Sequence, residues 1–127
     1  MNQKGQTLVE VLAGLGLILI VVTALIGMGV VALKASTSAR NRTVAAKLAN
    51  EGMELVRSER DQNTWDDFVT LTWSNQSITV GSVAFIRKTA ITATADSGKK
   101  KIVVTVEWPE SSGTKTTSVT SYLTDWR

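Results

Sequence analysis

The chain has no cysteine and no histidine, and its one proline is Pro109. Without cysteine there are no disulfides, no thiolate metal sites and no cysteine nucleophile. Without histidine the commonest general base and metal ligand is missing as well. The chemistry left suits an enzyme poorly, and neither a catalytic residue nor a cofactor nor a metal is expected. Charge is also absent over one long stretch, since no Asp, Glu, Lys or Arg stands between Glu10 and Lys34. Over the whole chain, 14 basic and 11 acidic side chains leave a net charge of +3. That excess is too mild to imply a nucleic-acid partner by itself.

What fills the uncharged stretch is aliphatic. Val11 to Leu33 is 23 residues long and holds 14 Leu, Ile or Val. As a helix it extends roughly 35 Å at 1.5 Å per residue, enough to cross a hydrocarbon layer of about 30 Å. Its aliphatic residues favour insertion by roughly 4 to 8 kcal/mol in total, at about 0.3–0.6 each. A carboxylate costs about 2.5–3.5 kcal/mol at the bilayer centre and less near an end. Glu10 therefore cannot keep the segment out of a membrane. A charge at the mouth of such a helix is a functional-site hypothesis that asks for a partner.

Downstream the pattern changes twice. Residues 34–61 keep a helical period but become amphipathic, with Ala45, Leu48, Gly52, Leu55 and Val56 on one side. Lys47, Asn50, Glu51, Glu54, Arg57 and Ser58 fill the other, and Lys47–Glu51 is a favourable i,i+4 pair. No proline interrupts the join, so one long helix is expected, ending at Asp61-Gln62-Asn63. From about residue 64 the chain turns to Thr, Val, Ile and Trp, which suit a pleated, half-buried surface. Candidate strands are Ser77–Val80, Val83–Ala95, Lys101–Trp108 and one through Val119 to Leu123. Asp96-Ser97-Gly98 and Pro109 to Gly113 are the expected turns. Alternation puts Ile102, Val104, Val106 and Trp108 on one face of the third strand. Strands joined by short turns imply an antiparallel meander.

Three readings compete for the N-terminus. A cleaved secretory signal has an apolar core of only 7–15 residues; the core here is longer, although Val30-Val31-Ala32 is a passable cleavage site. A plain membrane anchor explains the length but not Glu10. The third rests on Lys4-Gly5-Gln6-Thr7-Leu8-Val9-Glu10 followed at once by the apolar run. This segment resembles the class III signal of type IV pilins and type II secretion pseudopilins. Ala46 to Glu54, continuing to Arg60-Asp61, is similar to the same family, especially its minor members. So is the C-terminal series Val104 to Trp108, Gly113 and Tyr122 to Arg127.

The resemblance implies a leader of residues 1–5, cut by a prepilin peptidase between Gly5 and Gln6, with Gln6 then N-methylated. It makes Glu10 the fifth mature residue, which sets register in assembly. The implied order is a transmembrane and assembly helix at 6–33, its amphipathic continuation at 34–61 and a sheet domain at 62–127. The implied fold is α+β, a long N-terminal helix packed on a small antiparallel sheet. Implied partners are other subunits of the filament, the peptidase, an inner-membrane assembly platform and the membrane itself. Three features depart from the pattern. Gln6 replaces the usual Phe, Gly27 and Gly29 stand where many members carry proline, and a C-terminal disulfide is impossible. Lys34, Arg40 and Arg42 also follow the span on the side the family places outside, against the positive-inside rule.

The amine exposed by cleavage is cationic at neutral pH and can reach Glu10 of a neighbouring helix when helices stack with an axial stagger. Other features have plainer readings. Lys99-Lys100-Lys101 is expected as a solvated hairpin tip rather than a DNA contact, with no aromatic platform beside it. Trp65, Trp73, Trp108 and Trp126 are expected in packing rather than in a carbohydrate-binding patch. Glu51, Glu54, Asp66 and Asp67 are expected in ordinary charge pairing rather than in acid–base or metal chemistry. The alternative to a scaffold subunit is a tip or competence pilin whose sheet domain binds DNA or a surface.

Overall fold

The computed structural model describes residues 3–125, with side chains from Thr7 onward. Helix α1 runs from Gln3 to Gln62, and helix α2 from Trp65 to Thr70. Four strands follow: β1 (Gln76–Val80), β2 (Val83–Ala93), β3 (Lys99–Glu110) and β4 (Gly113–Thr124). They form one sheet in the order β1-β2-β3-β4, each antiparallel to the next. The C-terminal part of α1 packs on this sheet, which gives the α+β arrangement expected from the sequence. The chain divides between Ala39 and Arg40 into two compact units.

Within residues 40–125 the helical period sets the contact. Ala45, Leu48, Ala49, Met53 and Val56 are buried, while Lys47, Glu51, Glu54 and Arg57 stay exposed. The small residues let the helix lie close to the sheet. The facing strand side chains are Phe85 on β2 and Ile102, Val104, Val106 and Trp108 on β3, all buried. These last four are the alternating set read from the sequence. Burying a Val, Ile, Leu, Met or Phe side chain is worth about 1.5–3 kcal/mol, so this one layer supplies most of what holds the unit together.

The segment after α1 differs from expectation. Residues 65–70 form a short helix where strand chemistry was read. Thr64 has extended backbone geometry (φ −67°, ψ 160°) and caps the turn, its hydroxyl accepting from Asp67 N at 3.3 Å. Asp66 and Asp67 occupy the first turn, where the helix dipole favours negative charge. The β-propensity of Trp65 and Val69 loses because Phe68, fully buried, needs this turn to reach the core.

Two turns also move. β2 ends at Ala93, and the connection occupies residues 94–98, closed by the Asp96 carboxylate accepting from Gly98 N at 3.0 Å. Lys99, Lys100 and Lys101 are therefore not a hairpin tip. They are the first residues of β3, paired with Thr124, Leu123 and Tyr122. Pro109 likewise lies inside β3, opposite Thr114, and only Ser111-Ser112 make the turn. Proline is tolerated there because the β2–β3 ladder stops at Ile86↔Glu107, two residues earlier. The β1–β2 loop is Gly81-Ser82, with Gly81 at φ +63°, the left-handed geometry a two-residue hairpin loop requires of its first residue.

Candidate functional site

From Leu8 to Leu33 every Leu, Ile, Val and Met is 44–72% exposed. The apolar surface goes all round the helix, unlike the single buried stripe of residues 45–56. Removing such side chains from water is worth roughly 1.5–3 kcal/mol apiece, so over this many residues the driving force toward an apolar medium reaches tens of kcal/mol. The helix is long and apolar enough to cross a membrane. The Thr23 and Thr37 hydroxyls are satisfied within the helix, as a bilayer requires. Thr23 Oγ1 donates to the Leu19 carbonyl at 2.6 Å, and Thr37 Oγ1 to the Leu33 carbonyl at 3.0 Å. The helix continues through Gly27 and Gly29 without a break.

Glu10 lies within the first turn of this apolar surface and is exposed. Its described neighbours Leu8, Val9, Val11 and Leu12 are 59–68% exposed hydrophobics. Among the described residues the ion pairs are Lys47–Glu51, Arg57–Glu54, Arg60–Asp61 and Lys88–Glu107, and none involves Glu10. Gly5 and Gln6 fall on the first turns of α1, and their side chains lie outside what the structure describes. In an apolar medium a carboxylate so placed is costly unless a cation pairs with it.

Residues 40–125 hold a second charged feature, one that sequence reasoning passed over. Arg87 points from β2 toward the helix and is only 8% exposed. Its Nη1 donates to the Leu48 carbonyl at 3.1 Å and its Nε to Gln76 Oε1 at 3.0 Å; Nη2 also contacts Gln76 Oε1. The guanidinium thus ties strand β1 and helix α1 to β2 by hydrogen bonds to neutral acceptors. The signal was legible, since strict alternation from Phe85 puts Arg87 on the core face.

The other candidates are dispersed. Glu51 pairs with Lys47 at 3.8 Å, as its spacing implied, and Glu54 with Arg57 at 2.6 Å. Asp67 accepts from the Thr64 hydroxyl at 2.7 Å. Among the described residues no three His, Cys, Asp or Glu side chains converge on a possible metal position. Trp108 is buried against Phe85, Trp65 is half-buried beside Phe68, and Trp73 packs on the same core. Trp126 lies outside the described residues. Lys99 does have an aromatic neighbour, contrary to expectation: its ammonium sits 4.8 Å from the Tyr122 ring centroid. That contact occupies one face of the ring, which a stacked base would need.

No protein-family model, no curated protein and no solved structure matches this chain.

Proposed function

We propose that the protein is a structural subunit, of minor type, of a type IV pilus or a type II secretion pseudopilus. It is made as a single-span precursor of the cell membrane with its sheet domain outside, cut after Gly5 and assembled through its N-terminal helix. The observation that carries this reading is the placement of Glu10, a lone carboxylate on a helix apolar on every side. A plain anchor gains nothing from that charge. A bundle of such helices uses it, because the α-amino group freed at Gln6 supplies the missing cation in a neighbouring chain. An unpaired charge in a low-dielectric bundle costs several kcal/mol, so the pair fixes register while apolar packing holds the helices together. Gly14 and Gly16 have open space around them and let neighbouring backbones approach.

On this reading the work is scaffolding, not catalysis, and an assembly platform supplies the energy. A tip or competence subunit that binds DNA has less support, because the Tyr122 ring is already engaged by the Lys99 ammonium. The direct test is the N-terminus of the protein recovered from the membranes of cells carrying a prepilin peptidase. Edman degradation or intact mass should place it at Gln6. A protein starting at Met1, or cut near Leu33, would show an anchor or an ordinary secreted protein instead.

A further inference from the structure

We propose that Arg40 and Arg42, together with Lys34, bind the headgroups of anionic phospholipids where the helix leaves the bilayer. Between Glu10 and Glu51 the chain has no acidic residue, while Lys34, Arg40, Arg42 and Lys47 follow the apolar run in close succession. Lys47 is paired with Glu51. The other three are exposed, and among the described residues none of them enters an ion pair. Assembly through Glu10 gives these three cations no role.

Chain connection places them. Leu33 ends the apolar run, and within helix α1 Arg40 follows it by seven residues and Arg42 by nine. At 1.5 Å per residue their backbones lie roughly 10 and 14 Å along the helix from the hydrocarbon edge. The polar zone on each side of the hydrocarbon is roughly 5–8 Å thick. A helical side chain leaves its backbone tilted toward the N-terminus, here toward the membrane, and a long basic stem carries the charge further. Both guanidinium groups therefore come within reach of lipid phosphates, whichever face of the membrane they stand on.

Two observations favour lipid over a protein partner. Arg40 and Arg42 are two residues apart, about 200° round the helix axis, and so project to nearly opposite sides. A protein docked on one face meets one of them, whereas a headgroup layer surrounding the helix meets both. In a second copy, moreover, Glu51, Glu54, Asp61 and Glu107 are already paired within their own chain. A guanidinium can hold a phosphate through two parallel N–H donors, and basic residues beside a membrane are drawn to anionic lipid. The site needs the helix to cross a membrane, and needs neither cutting after Gly5 nor pairing at Glu10.

Spin-label spectroscopy of the reconstituted full-length protein tests it. Phosphatidylcholine vesicles carry a trace of spin-labelled phosphatidylglycerol or of spin-labelled phosphatidylcholine, and the motionally restricted fraction gives the association of each lipid with the protein. At low salt phosphatidylglycerol should associate at least about threefold more strongly, and molar sodium chloride should bring the two near parity. Arg40→Gln with Arg42→Gln should lose most of the preference, and adding Lys34→Gln should remove the rest. Lys99→Gln with Lys101→Gln takes the same net charge from the sheet and should keep the preference. Equal association of the two lipids with the wild-type protein would overturn the proposal and point to the acids of a second copy. An equal loss in the Lys99 and Lys101 variant would overturn it as well, because the preference would then belong to net charge. Flotation checks the span separately, since a protein that parts from its vesicles has no crossing helix and no headgroup site.

Discussion

A Cβ built on Gly52 would stand 2.8 Å from Cδ of Arg87, so the helix and β2 share a space that exists because residue 52 has no side chain. The same Cβ would meet Val104 Cγ1 at 2.8 Å. Arg87 cannot easily swing aside, because its guanidinium is held by the Leu48 carbonyl and by Gln76. The glycine weakens the helix locally and in return lets the buried arginine lie flat between helix and sheet.

Gly52→Ala should therefore destabilise the C-terminal unit, against the usual trend for glycine in a helix. Alanine gains about 1 kcal/mol of helix propensity, but overpacking a filled site costs typically 1–3 kcal/mol. With two contacts at 2.8 Å the upper half of that range applies, for a net loss of roughly 1–2 kcal/mol. Thermal unfolding followed by tryptophan fluorescence should show a lower Tm. An unchanged or raised Tm would mean that the helix shifts to admit the methyl group.

Substitutions at Arg87 should fall into two classes. Arg87→Met keeps the length and removes a buried charge, and apolar replacements of buried ions are often close to neutral. Arg87→Ala also leaves a cavity, and truncating a large buried side chain costs about 2–5 kcal/mol. Denaturant titration should rank wild type and Arg87→Met together, with Arg87→Ala well below. Equal losses in both would instead mean that the hydrogen bonds to Gln76 and Leu48, rather than the volume, are what matters.

Lys88 Nζ lies 2.8 and 2.7 Å from the two carboxylate oxygens of Glu107 on the neighbouring strand. Both side chains are partly exposed, so solvent and salt screen the pair. A double-mutant cycle with Lys88→Ala and Glu107→Ala should give a coupling energy of about 0.5–1 kcal/mol at low salt. The coupling should shrink in molar sodium chloride; a value that does not respond to salt would show packing rather than charge.

Glu10→Ala removes a cost to insertion and should leave membrane integration and processing after Gly5 intact. If Glu10 sets register between subunits, the variant should nonetheless be lost from filaments, measured as the ratio of sheared to membrane-bound protein on immunoblots. Incorporation at the wild-type ratio would remove the register role. Glu10→Asp should fall between, since it keeps the charge but shortens the reach by one methylene.

Much of this molecule was legible before its structure. The long run from Val11 to Leu33 announced a helix for an apolar medium, because no competing pattern accommodates 23 uncharged residues. Strict alternation placed Ile102, Val104, Val106 and Trp108 on one face, and they are the buried face of β3. Spacing alone gave the Lys47–Glu51 pair. Such features depend on the period of the chain, a local property that tertiary context rarely overrides.

What the tertiary structure decided depends on residues distant in sequence. Phe68 needed a place in the core, and that requirement turned residues 65–70 into helix against their local preference. Lys99 to Lys101 and Pro109 joined β3 because β4 runs along its whole length, from Lys99↔Thr124 to Glu110↔Gly113, although lysines and proline alone read as loop. The burial of Arg87 against Gly52 joins residues 35 positions apart through one close contact. Glu10 is the reverse case: the sequence alone singled it out, since a carboxylate among hydrocarbon side chains is costly in any fold. The structure adds that, among the described residues, no ion pair reaches it. Local periodicity wrote the elements, and long-range packing determined where they end and which charge lies between them.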